Sequence, residues 1–227
     1  MLEVIIRKAE TPADYAALQR AQRLSWGISD DSYVVPIATM IGAQHHGGLV
    51  LGAFLPNGEA AGLSFAFLGR TEGRLCLYSQ LTGIVPEYQS LGLGRKMKYT
   101  QRDYCREQGI PCIVWAFDPF QPGNARFNLS ILGATSNRYL DDMYGPRFDA
   151  LNAGVPTDRL IAEWEVDAEP REILGEPRVL LDLPNPVNRT AVASAFRDAF
   201  AQGYRAVGFL KPDTSDRTLG SYLLVKD

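Results

Sequence analysis

The run Gln89-Ser90-Leu91-Gly92-Leu93-Gly94-Arg95-Lys96-Met97 carries the clearest chemistry in this chain. It puts a glycine-punctuated turn between a strand-like segment and a helix. Gly92 and Gly94 allow the backbone to approach a ligand closely. The helix that follows opens with unpaired N–H groups at the positive end of its dipole. Arg95 and Lys96 stand where Asp or Glu would ordinarily complement that dipole, so an anion nearby is expected to offset them. Phosphate is the natural guest. The spacing then narrows which phosphate ligand. A dinucleotide fingerprint needs Gly or Ala where this chain has Met97, and Gly-Lys followed by Ser or Thr, as a P-loop requires, occurs nowhere.

What the run does match is Q-x-x-G-x-G, carried by Gln89, Gly92 and Gly94 and preceded by Gly83-Ile84-Val85-Pro86-Glu87-Tyr88. In this pattern the sequence resembles the GNAT superfamily of acyl-CoA-dependent N-acyltransferases. The resemblance covers residues 3–166 and is strongest over 78–145. It implies that the pyrophosphate of coenzyme A rests on backbone N–H groups from Gln89 through Lys96, chiefly around Gly92, Leu93 and Gly94, beside the Arg95 and Lys96 side chains. It also implies that Gly83, Ile84 and Val85 offer main-chain groups to the pantetheine arm. Asn124 and Asn128, four apart on a short helix, could both reach the pantetheine amides; the other reading is one cap and one surface Asn. Relatives work by direct attack of a deprotonated amine on the thioester, with acetyl-CoA the default donor. Holding the two reactants in line can be worth roughly 7 to 11 kcal/mol of barrier.

The acid and base depart from the family pattern. Many relatives carry a Glu in the strand before the cradle, whereas Leu75-Cys76-Leu77-Tyr78-Ser79-Gln80-Leu81-Thr82 has no carboxylate. Ser79 and Gln80 could hold a water or the substrate amine. Asp118 ends a buried strand, although Asp before Pro119 is also a common turn former; Glu87 reads as a solvated turn residue. The family's thiolate-protonating Tyr falls on Leu129 when counted back from Gly133, so Tyr139 and Tyr144 are the substitutes, each also readable as core. The catalytic candidates are therefore Ser79, Asp118 and Tyr144. His45 and His46, beside Gly47-Gly48, read as surface histidines, and Trp26 and Tyr33 fall where relatives shape the acceptor pocket.

The elements that must position these residues follow from pattern. Leu2 to Lys8 reads as a strand, and Thr11-Pro12 as the cap and first position of a helix reaching about Leu24. A second helix is expected over Val35 to Gln44. A hairpin pairs Leu49 to Leu55 with Ala60 to Leu68 through Asn57-Gly58, and the meander continues through Arg74 to Val85. A helix from Leu93 buries Met97, Tyr104 and Cys105 and stops at Gln108-Gly109, leaving Lys98, Arg102 and Arg106 as a solvated face. Ile110 to Phe117 is an apolar run of the kind buried on both faces. A short helix from Gly123 to Leu132 follows, ended by Gly133, then a strand over Arg159 to Val166. Beyond a boundary at Ala168 to Pro177 come a strand over Val179 to Leu183, a helix capped by Asn188 and stopped by Gly203, and strands around Ala206 to Leu210 and Tyr222 to Val225.

The expected class is α/β, of the mixed α+β kind: the GNAT fold, a mixed and mostly antiparallel central sheet flanked by helices, with a small αβ C-terminal extension. Residues 1–167 would form the acyltransferase domain. Residues 168–227 are too few to fold easily alone and would pack on that domain or on a second subunit, as in a homodimer.

With 227 residues, 46% of them hydrophobic, and a formal charge of −3, the composition is that of a soluble globular chain and argues against nucleic-acid binding. No apolar run is long enough to span a bilayer and no signal peptide is evident, so no membrane association and a cytoplasmic location are expected. Cys76, Cys105 and Cys112 read as buried free thiols, and no metal site is expected. The function implied is transfer of an acyl group, acetyl by default, from acyl-CoA to a primary amine of a small molecule, amino acids among the candidates. The alternatives are an amino-acid N-succinyltransferase using succinyl-CoA, a CoA-binding sensor without catalysis, and a protein N-acetyltransferase with an open peptide groove.

Overall fold

This computed structural model describes residues 3–145, 154–168, 178–212 and 218–226. Seven strands, β1 (Ile5–Lys8), β2 (Leu49–Phe54), β3 (Ala60–Thr71), β4 (Arg74–Ile84), β5 (Cys112–Phe117), β6 (Tyr139–Leu140) and β7 (Arg159–Glu165), form a sheet in the order β1-β2-β3-β4-β5-β7-β6. A second sheet has the order β8-β10-β9, from β8 (Arg178–Pro184), β9 (Tyr204–Leu210) and β10 (Thr218–Lys226). The helices are α1 (Pro12–Trp26), α2 (Ile37–His45), α3 (Leu93–Glu107), α4 (Pro122–Ala125) and α5 (Arg189–Ala201). The described residues divide into two compact units, one made of 3–113 and Gly154 and the other within 114–145, 155–168, 178–212 and 218–226.

In the first unit, α1 begins as its sequence dictates. Thr11 Oγ1 accepts the Asp14 N–H at 3.2 Å, and Asp14 Oδ2 accepts the Thr11 N–H at 3.0 Å, a reciprocal capping box with Pro12 at the first position. The Asp14 carboxylate also receives two guanidinium bonds from Arg7, at 2.8 and 3.0 Å. Two glutamines, Gln22 buried and Gln44 half-buried, fasten α1 and α2 to what surrounds them. Gln22 holds both the Tyr33 carbonyl and the Val35 N–H at 3.1 Å, and Gln44 bonds the Ala9 carbonyl at 2.7 Å and the Val50 N–H at 3.1 Å.

β1 to β4 are antiparallel neighbours, so their side chains alternate between two faces. Leu63, Phe65 and Val85 pack with Tyr15, Leu18 and Met40 under α1 and α2. Ser64 and Thr82 point the other way, toward α3, where Gln101 meets Ser64 at 2.6 Å. Simple alternation would place Ser79 with Leu81 and Gly83, on the α1 side. It does not lie there, because the register jumps: Phe65 pairs with Leu81 and Ala66 with Ser79. Gln80 is thus the extra residue of a β-bulge, which sends Ser79 to the α3 face together with Thr82.

In the second unit, β8, β9, β10 and α5 pack with the segment after β5. Tyr222 donates its buried hydroxyl to the Pro119 carbonyl at 2.6 Å, Ser130 Oγ bonds the Phe209 carbonyl at 3.1 Å, and Ser136 bridges Ala206. Asn188 caps α5 by accepting the Ala191 N–H at 3.1 Å. Two local features differ from expectation. The helix after β5 is one α turn that widens into a π turn over Arg126–Ile131, so it lacks the regular spacing assumed for residues 123–132. β6, only two residues long, lies below the length at which alternation gives a signal.

Candidate active site

At the end of β4 the chain passes through a 3₁₀ turn (Pro86–Tyr88) and enters α3 at Leu93. Gln89 folds its side chain back to donate to the Ile84 carbonyl at 3.1 Å, tying the turn to the strand it leaves. Gly92, the N-cap, has φ +77°, a left-handed conformation that a side chain would strain. The first helical bond runs from the Lys96 N–H to the Gly92 carbonyl at 3.1 Å. Among the described residues, no acceptor meets the N–H groups of Gly92, Leu93, Gly94 or Arg95. No acidic residue occupies this first turn, and Arg95 and Lys96 are exposed beside it. A Cβ at Gly92 would meet nothing within 4 Å, and one at Gly94 only Ile84 Cγ1 at 3.8 Å. The turn is therefore an open row of donors flanked by two cations, which fits a pyrophosphate.

Gly83 is a glycine for a different reason. A Cβ there would overlap the indole of Trp26 at Cη2 and Cζ3 and lie 3.0 Å from Ser25 Cβ. The end of α1 thus sits directly on the strand expected to carry the pantetheine arm. Tyr33, the other residue assigned to the acceptor side, offers its carbonyl to Gln22 of α1.

On the α3 face of the same strand lies a polar network that the sequence reading missed. Lys98 Nζ donates to Ser79 Oγ at 2.9 Å. Gln101 brackets the same hydroxyl, with Oε1 at 3.2 Å and Nε2 at 3.1 Å, and reaches Ser64 Oγ at 2.6 Å. Ser64 in turn bonds Thr82 at 3.1 Å. Ser79 and Lys98 are each 4% exposed and Gln101 is fully buried. Lys98 therefore does not belong to the solvated face assigned to it. Burial pushes its ammonium down to about 7, and the same burial pushes the Cys105 thiol up to about 12. A signal for this was present: Lys98 lies seven residues before Cys105 and three before Gln101, on one helical stripe. Arg102 and Arg106 do reach the helix surface, Arg102 over the Tyr99 ring and Arg106 beside Asp103.

The structure brings Gly83, Ile84, Val85, Gln89, Gly92, Leu93, Gly94, Arg95 and Lys96 together at the β4–α3 junction, with Ser79 on the same strand. Asp118, Asn124, Asn128 and Tyr144 belong to the second unit. Asp118 accepts the Phe120 N–H at 2.8 Å, the turn-forming role. Asn128 is buried while Asn124 is exposed, so the π turn does not present them alike. Tyr144 is exposed, and its N–H donates to Thr157 Oγ1 at 2.9 Å. Tyr139 gives its hydroxyl to Asp158 at 2.9 Å, and burial raises its phenol far above the ordinary value. Cys76, Cys105 and Cys112 are buried free thiols, His45 and His46 are exposed, and no metal-holding cluster occurs among the described residues.

No family model matches the chain, and no curated protein matches it by sequence. Solved structures do. A protein from Desulfovibrio desulfuricans assigned to the GNAT family of acetyltransferases aligns with TM-score 0.54 at 17% identity, over 72% of this chain and 99% of its own. A Salmonella typhimurium protein assigned as an acetyltransferase, and solved with acetyl-CoA, gives 0.57 at 21% identity, over 76% and 99%. The Escherichia coli ribosomal-protein-S18-alanine N-acetyltransferase gives 0.54 at 18%, again over 76% and 99%. With the sheet order and the β4–α3 junction, these place the chain in the GNAT fold. Among the described residues no helix is long and apolar enough to cross a membrane.

Proposed function

We propose that the chain is an N-acyltransferase that takes its acyl group from acyl-CoA, acetyl-CoA by default, and passes it to the primary amine of a small molecule. One observation carries this: the row of acceptor-free N–H groups from Gly92 to Arg95, at the β4–α3 junction of a GNAT fold. These groups would hold the pyrophosphate, with Arg95 and Lys96 adding charge and Gln89 keeping the turn in shape. Gly83 to Val85 would align the pantetheine arm along β4, and Trp26 would bound the acceptor side of that strand. The protein's main contribution is then alignment of amine and thioester.

Calorimetry with CoA on the native chain and on Gly94→Val tests the binding half. Gly94 has ordinary helical geometry and only one neighbour near its Cβ, so the variant is expected to keep its melting midpoint and lose CoA affinity at least tenfold, as ~1.4 kcal/mol per decade implies. Unchanged affinity would remove the assignment. Thiol release from acetyl-CoA and succinyl-CoA with a panel of amines tests the chemical half. Tight CoA binding with no turnover would favour the sensor.

A further inference from the structure

We propose that the Ser90 hydroxyl is a ligand of the pyrophosphate, a side-chain donor added to the backbone row of the cradle. The inference rests on the acyltransferase reading and deepens it. Among the described residues the row is longer than the four N–H groups that open α3. The N–H groups of Ser90 and Leu91 meet no acceptor either, so consecutive free donors run from Ser90 to Arg95. Along this stretch φ changes sign, from +63° at Ser90 to negative at Leu91, +77° at Gly92 and negative again at Leu93. Alternation of this kind turns successive N–H groups toward one concavity, the form of an anion-binding nest.

Ser90 carries a side chain where the backbone asks for none. Among the described residues, positive φ falls on eleven glycines and on Glu72, Ser90 and Asp142. A Cβ is disfavoured in that conformation, and two of the three exceptions have a local reason. Glu72 and Gly73 form the two-residue loop between β3 and β4, where a tight hairpin turn needs positive φ at both positions. Asp142 uses its side chain to hold a turn, accepting the Thr157 N–H at 2.9 Å and the Thr157 hydroxyl at 3.0 Å. Ser90 has no such bond: its side chain is exposed and meets no partner among the described residues. The conformation is imposed from both ends, by the Gln89 bonds to the Pro86 and Ile84 carbonyls at 3.2 and 3.1 Å and by the start of α3. Glycine would meet that demand without strain, so what serine adds is one hydroxyl. A serine side chain is two atoms long, and the hydroxyl therefore stays beside the first N–H of the row. Against a phosphate oxygen it donates a charge-assisted hydrogen bond, while the exposed Arg95 and Lys96 supply charge at the far end.

Calorimetry with CoA and melting midpoints, measured on the native chain, Ser90→Gly, Ser90→Ala and Ser90→Asn, test this. Ser90→Gly should melt at or above the native midpoint and yet lose CoA affinity about tenfold, the scale of a hydrogen bond to a charged group. Ser90→Ala should lose affinity to the same extent without the gain in midpoint. Ser90→Asn tolerates positive φ and carries its own N–H donors, so its affinity should stay within about threefold of native. Had Ser90 served only the shape of the turn, glycine would bind as well as serine. A Ser90→Gly affinity within about twofold of native therefore overturns the proposal and leaves the acyltransferase reading standing, and so do equal losses in all three variants. A native chain that does not bind CoA overturns both.

Discussion

Replacing Lys98 by Met should make the protein more stable. The lysine amine has been brought from an ordinary 10.5 to about 7 by burial, and at about 1.36 kcal/mol per pKa unit this corresponds to roughly 5 kcal/mol of penalty on the charged form. Met has nearly the same length and volume and no charge to desolvate, and a volume-conserving exchange in a packed site costs under about 1.5 kcal/mol. Ser79 does not become an orphan, because Gln101 still bonds its hydroxyl. At pH 6 both the native and the unfolded lysine are protonated and the penalty is fully felt, so Lys98→Met should gain about 2 to 5 kcal/mol. From about 7 to 10.5 the unfolded lysine still holds a proton that the folded one has shed, so native-chain stability climbs with pH and the gap closes. Urea unfolding of both proteins at pH 6, 7.5, 9 and 10 measures this. Their difference cancels the titrating groups that do not interact with Lys98. Parallel pH curves, or a Met variant weaker than native at pH 6, would refute the reasoning.

Two further outcomes follow from local geometry. Gly83→Ala drives a methyl into the Trp26 indole and should cost about 1 to 3 kcal/mol in chemical denaturation; Trp26→Leu should recover part of that loss, and simple additivity of the two would count against the contact. Asp14→Asn removes the charge that Arg7 pairs with and weakens the capping box, and should cost about 1 to 2 kcal/mol at pH 7. The Asp14 carboxyl is held far below its ordinary 3.8, first by Arg7, so its contribution is complete above about pH 4 and fades as the pH falls further. Thermal unfolding at pH 7 and pH 2 should therefore show the variant's deficit shrinking in acid.

Most of the scaffold was readable because local chemistry and hydrophobic period agree along it. Thr11-Pro12, Asn188 and Gly133 stand where they were expected as caps and stops, and the strand from Arg74 runs directly into the glycine turn. The donor row of the cradle was readable for the same reason: it is made of backbone, and glycine spacing specifies backbone. The buried network was not. A lysine between Lys96 and Tyr99 reads as surface when charge is counted along the chain, and only its seven-residue offset from Cys105 betrays the stripe it occupies. Nor does any residue in Tyr78-Ser79-Gln80-Leu81-Thr82 announce a bulge, since a register jump is decided by the partner strand and leaves no local signature.

That register jump also constrains how the protein can diversify. The half of β4 that follows Gln80 and the half that precedes it are out of phase by one residue. Loss of Gln80 would close the bulge and leave Phe65 paired with Leu81 and Ala66 with Ser79, each on the face it holds now, whereas loss of a residue between Arg74 and Ser79 would shift the positions before it to the opposite face. The strand therefore behaves as two reading frames, and Gln80 is the residue that holds them apart.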